Sequence, residues 1–169
     1  MMRTNRKMAA TLAAVVLAGA ASAGVAQAAP AAGGSVAPSA CRPANHTAKI
    51  TAADNTTGHR HYRVTLTAPR GYEPCRLAGS PTDVRFSNHG EDSGLTAGSY
   101  GGQETVVTFG PGRPVHFDIQ VPNNGGGAPA DEASFTLRAP DGQIPGTSFA
   151  EGGLTVAAGT LIGPVQRGA

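Results

Sequence analysis

The chain has 169 residues, with 13 basic and 11 acidic side chains, two cysteines and no tryptophan. Arg3, Arg6 and Lys7 precede an apolar leader, so the 141 residues after Ala28 keep 10 basic against 11 acidic groups, a net charge of −1 with histidines neutral. That balance excludes a domain-wide basic footprint for nucleic acid or an anionic membrane, and the length is that of one domain with its own core.

The N-terminus reads as a secretory signal peptide over residues 1–28. Met1 to Met8 is positive and free of acids, and Ala9 to Ala26 is an apolar run carrying Leu12, Val15, Val16, Leu17 and Val25. Ala26-Gln27-Ala28 then supplies the small residues of an A-x-A site, which places cleavage between Ala28 and Ala29. A second set, Ala21-Ser22-Ala23, lies inside the run and would shorten it. The run is rich in Ala and Gly, and no cationic stop-transfer cluster follows, which argues against a transmembrane anchor. No membrane span is expected after cleavage. Cys41 lies well past the run, behind Pro38-Ser39-Ala40, so it is not a lipid-attachment cysteine. The expected location is secreted, extracellular.

Residues 29–40 are Ala, Gly, Pro and Ser without periodicity, a flexible tail, and a single domain is expected over 41–169. Thr47 to Ala52 is a short candidate strand. Arg60 to Ala68 alternates, with Tyr62, Val64, Leu66 and Ala68 on one face and His61, Arg63, Thr65 and Thr67 on the other. Pro69 to Pro74 is a turn. Cys75, Leu77, Val84 and Phe86 should point inward and Asp83 and Arg85 outward, with Gly79-Ser80-Pro81 as an interruption. Ser87 to Gly102 is polar and Gly-rich and reads as a long connection. Glu104 to Phe109 is a strand, and Gly110-Pro111-Gly112 a tight turn.

Val115, Phe117, Ile119 and Val121 alternate against His116, Asp118 and Gln120. Pro122 to Asp131 reads as a mobile loop, Ala133 to Ala139 as a strand through Phe135 and Leu137, and Pro140 to Gly153 as turns. Leu154 to Val156 and Thr160 to Val165 close the chain. No stretch of the domain has helical apolar spacing. About seven or eight short strands therefore predict an all-β fold, most simply a Greek-key β-sandwich.

Cys41 and Cys75 allow one pairing, and export makes a disulfide the default, a metal pair or a reactive thiol being the competing readings. His59 and His61 would share one strand face, and a third ligand from His46, His89 or His116 would make a copper or zinc site, although the simpler reading is outward residues on a solvated strand face beside Arg63. Glu91-Asp92-Ser93-Gly94 resembles a serine-nucleophile segment without its histidine and buried acid. The acid pairs Glu91-Asp92 and Asp131-Glu132 fall in predicted loops. Gly125-Gly126-Gly127 lacks the lysine of a phosphate loop. No catalytic, cofactor-binding or metal site is assigned.

Cys75-Arg76-Leu77-Ala78-Gly79-Ser80-Pro81 followed by Val84 and Phe86 resembles the Cys-x-Leu-x-Gly-aromatic-Pro signature of a known family. Tyr62-Arg63-Val64-Thr65-Leu66-Thr67 is similar to its lead-in strand. Val107-Thr108-Phe109-Gly110-Pro111-Gly112 resembles its Pro-Gly turn, and Phe135-Thr136-Leu137-Arg138-Ala139-Pro140 its penultimate strand. The family is the secreted bacterial one catalogued as domain of unknown function 4232. The resemblance implies an exported protein with an immunoglobulin-like sandwich and a disulfide like Cys41–Cys75; it does not imply an activity. Ser80 departs from the pattern where the family carries an aromatic, and Pro69 to Pro74 replaces its usual Thr-Asn turn. The expected function is that of a non-enzymatic extracellular module, without cofactor, that binds a protein or a cell-wall component through its loops. The alternative is metal handling by His59 and His61.

Overall fold

The structure, a computed structural model, describes residues 37–123 and 126–169. The expected signal peptide, its expected cleavage site at Ala28 and Ala29, and most of the expected tail lie outside the described residues, as do Asn124 and Gly125 of the Gly-rich stretch. The described residues form an all-β fold with one 3-10 turn at Pro43–Asn45 and no α-helix. In chain order the strands are β1 (Thr47–Thr56), β2 (His59–Thr67), β3 (Cys75–Ala78), β4 (Thr82–Asn88), β5 (Glu91–Thr96), β6 (Gly98–Ser99), β7 (Val106–Phe109), β8 (Val115–Pro122), β9 (Ala128–Thr136), β10 (Arg138–Ala139), β11 (Gly142–Gln143), β12 (Ser148–Val156), β13 (Leu161–Ile162) and β14 (Gln166–Arg167). Nine of them run four residues or more.

The alternation read from the sequence is the burial pattern of β2 and β8 except at His116, which is covered by the C-terminal segment and pairs with the Gly168 carbonyl. Val64 and Leu66 of β2, and Val115, Phe117, Ile119 and Val121 of β8, are fully buried. Leu77, Val84, Phe86, Phe135 and Leu137 join them in one core, while Asp83 and Arg85 face solvent. Each such aliphatic or aromatic side chain contributes roughly 1.5–3 kcal/mol by leaving water.

The ladders run as one ten-stranded sheet in the order β5-β4-β9-β12-β1-β2-β8-β13-β6, with β14 also on β8. A separate two-stranded ribbon, β3–β7, closes one side, and β10–β11 is a small hairpin. β8 and β9 stand four strand positions apart, about 19 Å if the sheet were flat. Yet the rings of Phe117 on β8 and Phe135 on β9 meet edge to face, with centroids 5.1 Å apart. The sheet therefore curls on itself like a nearly closed barrel. Its hydrogen-bonded ladder runs without a break through β12, β1 and β2 around a common core.

The bend is built at β1 and β12. These two strands run parallel and pair only through Ala48–Ala150 and Lys49–Glu151. At Gly152 the strand bulges, with φ +146, and a Cβ there would lie 2.9 Å from the Cβ of Ile50 and closer still to its carbonyl oxygen. Only glycine allows that approach. Beyond the bulge β12 leaves β1, and the Thr155 N–H donates instead to the Tyr62 hydroxyl of β2 at 2.9 Å.

Four expected boundaries move. Ser87–Gly102 is not one long connection, because β4 and β5 form a tight hairpin. His89 (φ 50) and Gly90 (φ 83) both take positive φ, the geometry of a type I′ turn. The acid pairs expected in loops lie on strands, Glu91-Asp92 on β5 and Asp131-Glu132 on β9, and β9 already begins at Ala128. β12 occupies Ser148–Val156, inside the stretch read as turns. The ordered domain begins before Cys41: Ser39 bridges Glu73, the Ala40 N–H donates to the Glu73 carbonyl at 2.9 Å, and Ala40 is fully buried. At Ser80, where the family pattern has an aromatic, the buried hydroxyl donates to the Ile162 carbonyl at 3.0 Å and accepts from Gln103 at 3.0 Å. A small polar knot fills that position.

The Phe117–Phe135 contact carries the curl, so Phe117→Ala is expected to cost about 3–5 kcal/mol, the range for emptying a buried aromatic site. Urea denaturation of the oxidised protein measures it, and a loss below about 1 kcal/mol would show that the two halves do not depend on each other there.

Candidate functional site

A cleft of about 610 Å³ opens beside the disulfide. Its back wall is made where the chain enters the domain. Ser39 and Ala40 run parallel to Glu73, which brings Cys41 against Cys75 at the head of β3. The two sulfurs are bonded, with the Cα atoms 5.9 Å apart, which settles Cys41–Cys75 as the disulfide rather than a metal or thiol pair. The turn from Pro69 to Pro74 supplies that Glu73 backbone. Ala139, Pro140, Ile144 and Pro145 form the opposite wall, and the Ile144 N–H donates to the Leu137 carbonyl at 2.8 Å, fixing the β10–β11 hairpin against the core.

The walls are apolar and the mouth is charged. Arg42 and Arg76, each following a disulfide cysteine, are exposed and border the cleft with Asp141. The ion pairs among the described residues are Arg63–Asp118, Arg85–Asp92 and His89–Asp131, so neither arginine is neutralised by a carboxylate within 4.0 Å. An apolar trough with free guanidinium groups at its rim can hold the apolar part of a ligand and pair with its anionic groups.

Behind the disulfide sits His46. Its Nδ1 donates to the Ala40 carbonyl at 2.9 Å, which leaves Nε2 to accept from the Ser148 hydroxyl at 3.0 Å. The ring stands edge-on to Phe109, with centroids 5.6 Å apart. Burial pushes the His46 pKa below its ordinary 6.5, against the opposing pull of the backbone hydrogen bonds to Ala40 and Arg42. A Ser–His pair is the first half of a nucleophilic triad, but Ser148 is only 2% exposed and the far nitrogen meets a carbonyl rather than a carboxylate. Neither residue lines the cleft. The pair ties β12 to the entry segment. Its partners are 102 positions apart, so no local motif could have revealed it.

The other candidates are dispersed. The His59 and His61 rings lie 6.4 Å apart on β2, and His61 Nε2 pairs with the Thr56 hydroxyl at 2.9 Å. The three histidines considered as a third ligand are engaged elsewhere: His46 behind the disulfide, His89 on Asp131, and His116 on the Gly168 carbonyl at 3.2 Å. Among the described residues no three His, Cys, Asp or Glu side chains stand close enough to share a metal ion. Asp92 and Ser93 turn back on their own strand, accepting from the Gly94 and Leu95 N–H groups, and no histidine joins them.

A smaller cleft of about 400 Å³ lies on the other side of the β3–β7 ribbon, bordered by Thr108, Arg113 and Arg167. Sequence reading passed over both clefts because their walls come from segments far apart in the chain. The signal that was available is the repeated Cys-Arg at 41–42 and 75–76: if the cysteines pair, the arginines must follow them to one place.

A family model described as Domain of unknown function (DUF4232) matches residues 41–163. No curated protein and no solved structure matches the chain.

The lowered pKa of the partly buried His46 gives stability a sign with pH. An unfolded chain takes up a proton on this imidazole near 6.5 while the folded one resists, so stability is held above about pH 6.5, declines as pH falls below it, and levels off beneath the lowered folded-state value. His46→Gln is expected to remove that part of the decline between pH 7 and 5, read as urea midpoints at each pH. An unchanged slope would show that His46 is not the group that titrates.

Proposed function

We propose, from the premise that the chain belongs to the Domain of unknown function (DUF4232) family, that it is an exported, non-enzymatic module whose ligand lies in the cleft beside the Cys41–Cys75 disulfide. The family carries no activity with it, so the reading rests on this chain's own geometry. The observation that carries it is one cleft of about 610 Å³ with apolar walls and two unneutralised arginines at its mouth. A site of that make recognises a partially apolar, anionic group by fit and charge.

Export is supported by the leader before Ala28 and agrees with a disulfide formed in an oxidising compartment. The non-enzymatic reading is supported by the Ser–His pair being sealed away from the cleft. The finer architecture we read as an immunoglobulin-like Greek-key sandwich in which β1 is shared by two halves, β5-β4-β9-β12 and β2-β8-β13-β6. The Phe117–Phe135 contact between them supports it. In such a frame the strands hold the cleft walls still, and the ligand meets a preformed surface.

Cosedimentation of the exported protein with purified cell envelopes tests the reading. The protein is expected to pellet with the envelopes, and Ala139→Trp, which fills the cleft from its partly exposed wall, to reduce the bound fraction at least tenfold at unchanged urea midpoint. Failure of the unaltered protein to pellet, or equal binding by the filled variant, would overturn it.

A further inference from the structure

The two clefts lie on one track. Arg76 of β3 is directly opposite Thr108 of β7, and the neighbours Leu77, Val107 and Phe109 are buried, so Arg76 and Thr108 stand side by side on the outer face of the ribbon. Arg76 borders the cleft at the disulfide, Thr108 the cleft at Arg113 and Arg167. One cross-strand pair, about 5 Å wide, therefore separates a trough of about 610 Å³ from one of about 400 Å³.

Along this line are Arg42, Arg76, Arg113 and Arg167, all exposed and none in an ion pair among the described residues, against one bordering carboxylate, Asp141. The domain as a whole is slightly acidic, and four of its seven arginines outside the ion pairs border these two clefts, the others being Arg60, Arg70 and Arg138. Two arginines at each of two neighbouring clefts suit a ligand that carries separate negative charges along its length. Two troughs in series suit a thin chain better than the flat face of a protein partner. The apolar walls at Ala139, Ile144 and Pro145 suit short carbon segments between the charges. No Phe, Tyr or Trp lines either trough, so nucleobases would find no stacking platform.

We infer that the outer face of the β3–β7 ribbon binds a phosphodiester-linked polyol chain of the cell envelope, its phosphates on Arg42, Arg76, Arg113 and Arg167. This deepens the reading of the disulfide cleft as a binding site and rests on it.

The probe is a fluorescent poly(glycerol phosphate) oligomer, with poly-glutamate and oligothymidylate of equal charge as comparisons, read by anisotropy over a salt series. The glycerol phosphate oligomer is expected to bind at least tenfold more tightly than either comparison. Four phosphate contacts give a log–log salt slope of about −3, at roughly −0.7 per contact for a single-stranded polyanion. The combined Arg76→Gln, Arg113→Gln, Arg167→Gln variant is expected to lose at least tenfold in affinity and to bring the slope above −1. Arg85→Gln, which removes an arginine paired with Asp92 away from the ribbon, should change neither. Equal binding of poly-glutamate, tighter binding of oligothymidylate, or an unchanged slope in the triple variant would overturn the inference. So would envelope cosedimentation that excess glycerol phosphate oligomer cannot compete, which would leave the cleft reading standing. Absence of envelope binding would remove the cleft reading itself.

Discussion

The Cys41–Cys75 bond joins two parts of the fold that share no ladder. β3 and β7 pair only with each other. Their inner face, Leu77, Val107 and Phe109, is buried in the common core, but lateral hydrogen bonds to the rest are few: the Val165 N–H to the Gly79 carbonyl, and the Ser39–Ala40 contact with Glu73. A two-stranded ribbon held this way is marginal by itself. The disulfide closes a loop of 34 positions, worth roughly 3 to 4 kcal/mol on a chain-entropy basis, and it places that constraint at the ribbon's first residue. His46 adds a second tie just behind, joining the Ala40 carbonyl to Ser148 of β12.

What the bond fixes, the surface uses. The trough exists because the entry segment, the ribbon and the β10–β11 hairpin meet at Cys41 and Cys75. The arginines of the mouth are the residues next to those cysteines, so bringing the sulfurs together also brings to one cleft two positive charges that are in no ion pair, with Asp141 as the carboxylate on the same cleft. Such charges cost little while solvated, and they are worth most when an anion arrives on a surface that does not have to rearrange. The curled sheet supplies that rigidity through the packing of Phe117 on Phe135.

Much of the fold was legible in the sequence, because period-two alternation depends only on one face of a strand being buried. Val64 and Leu66 on β2, and Val115 to Val121 on β8, read correctly for that reason. The hairpin at His89-Gly90 did not, since the usual Asn-Gly or Asp-Gly signal is absent and β5 is an edge strand with little apolar content. The curl escaped as well: it is set by Gly152 approaching the Ile50 carbonyl, and the Gly-Gly pair between Glu151 and Leu154 looks like a turn from sequence alone. The pairing of Cys41 with Cys75 was legible from a count of two in a chain expected to be exported. The trough and the arginine track were not, because they depend on Arg42, Arg76, Arg113 and Arg167 reaching one face from four separate segments.

The dependence of the ribbon on its covalent tie is tested most directly by residue-resolved amide hydrogen exchange on the oxidised and reduced protein under native conditions. The account predicts that reduction lowers protection selectively in Cys75–Ala78 and Val106–Phe109, while β1, β2, β8 and β9 keep theirs. Protection lost uniformly across all strands, or unchanged in the ribbon, would contradict it.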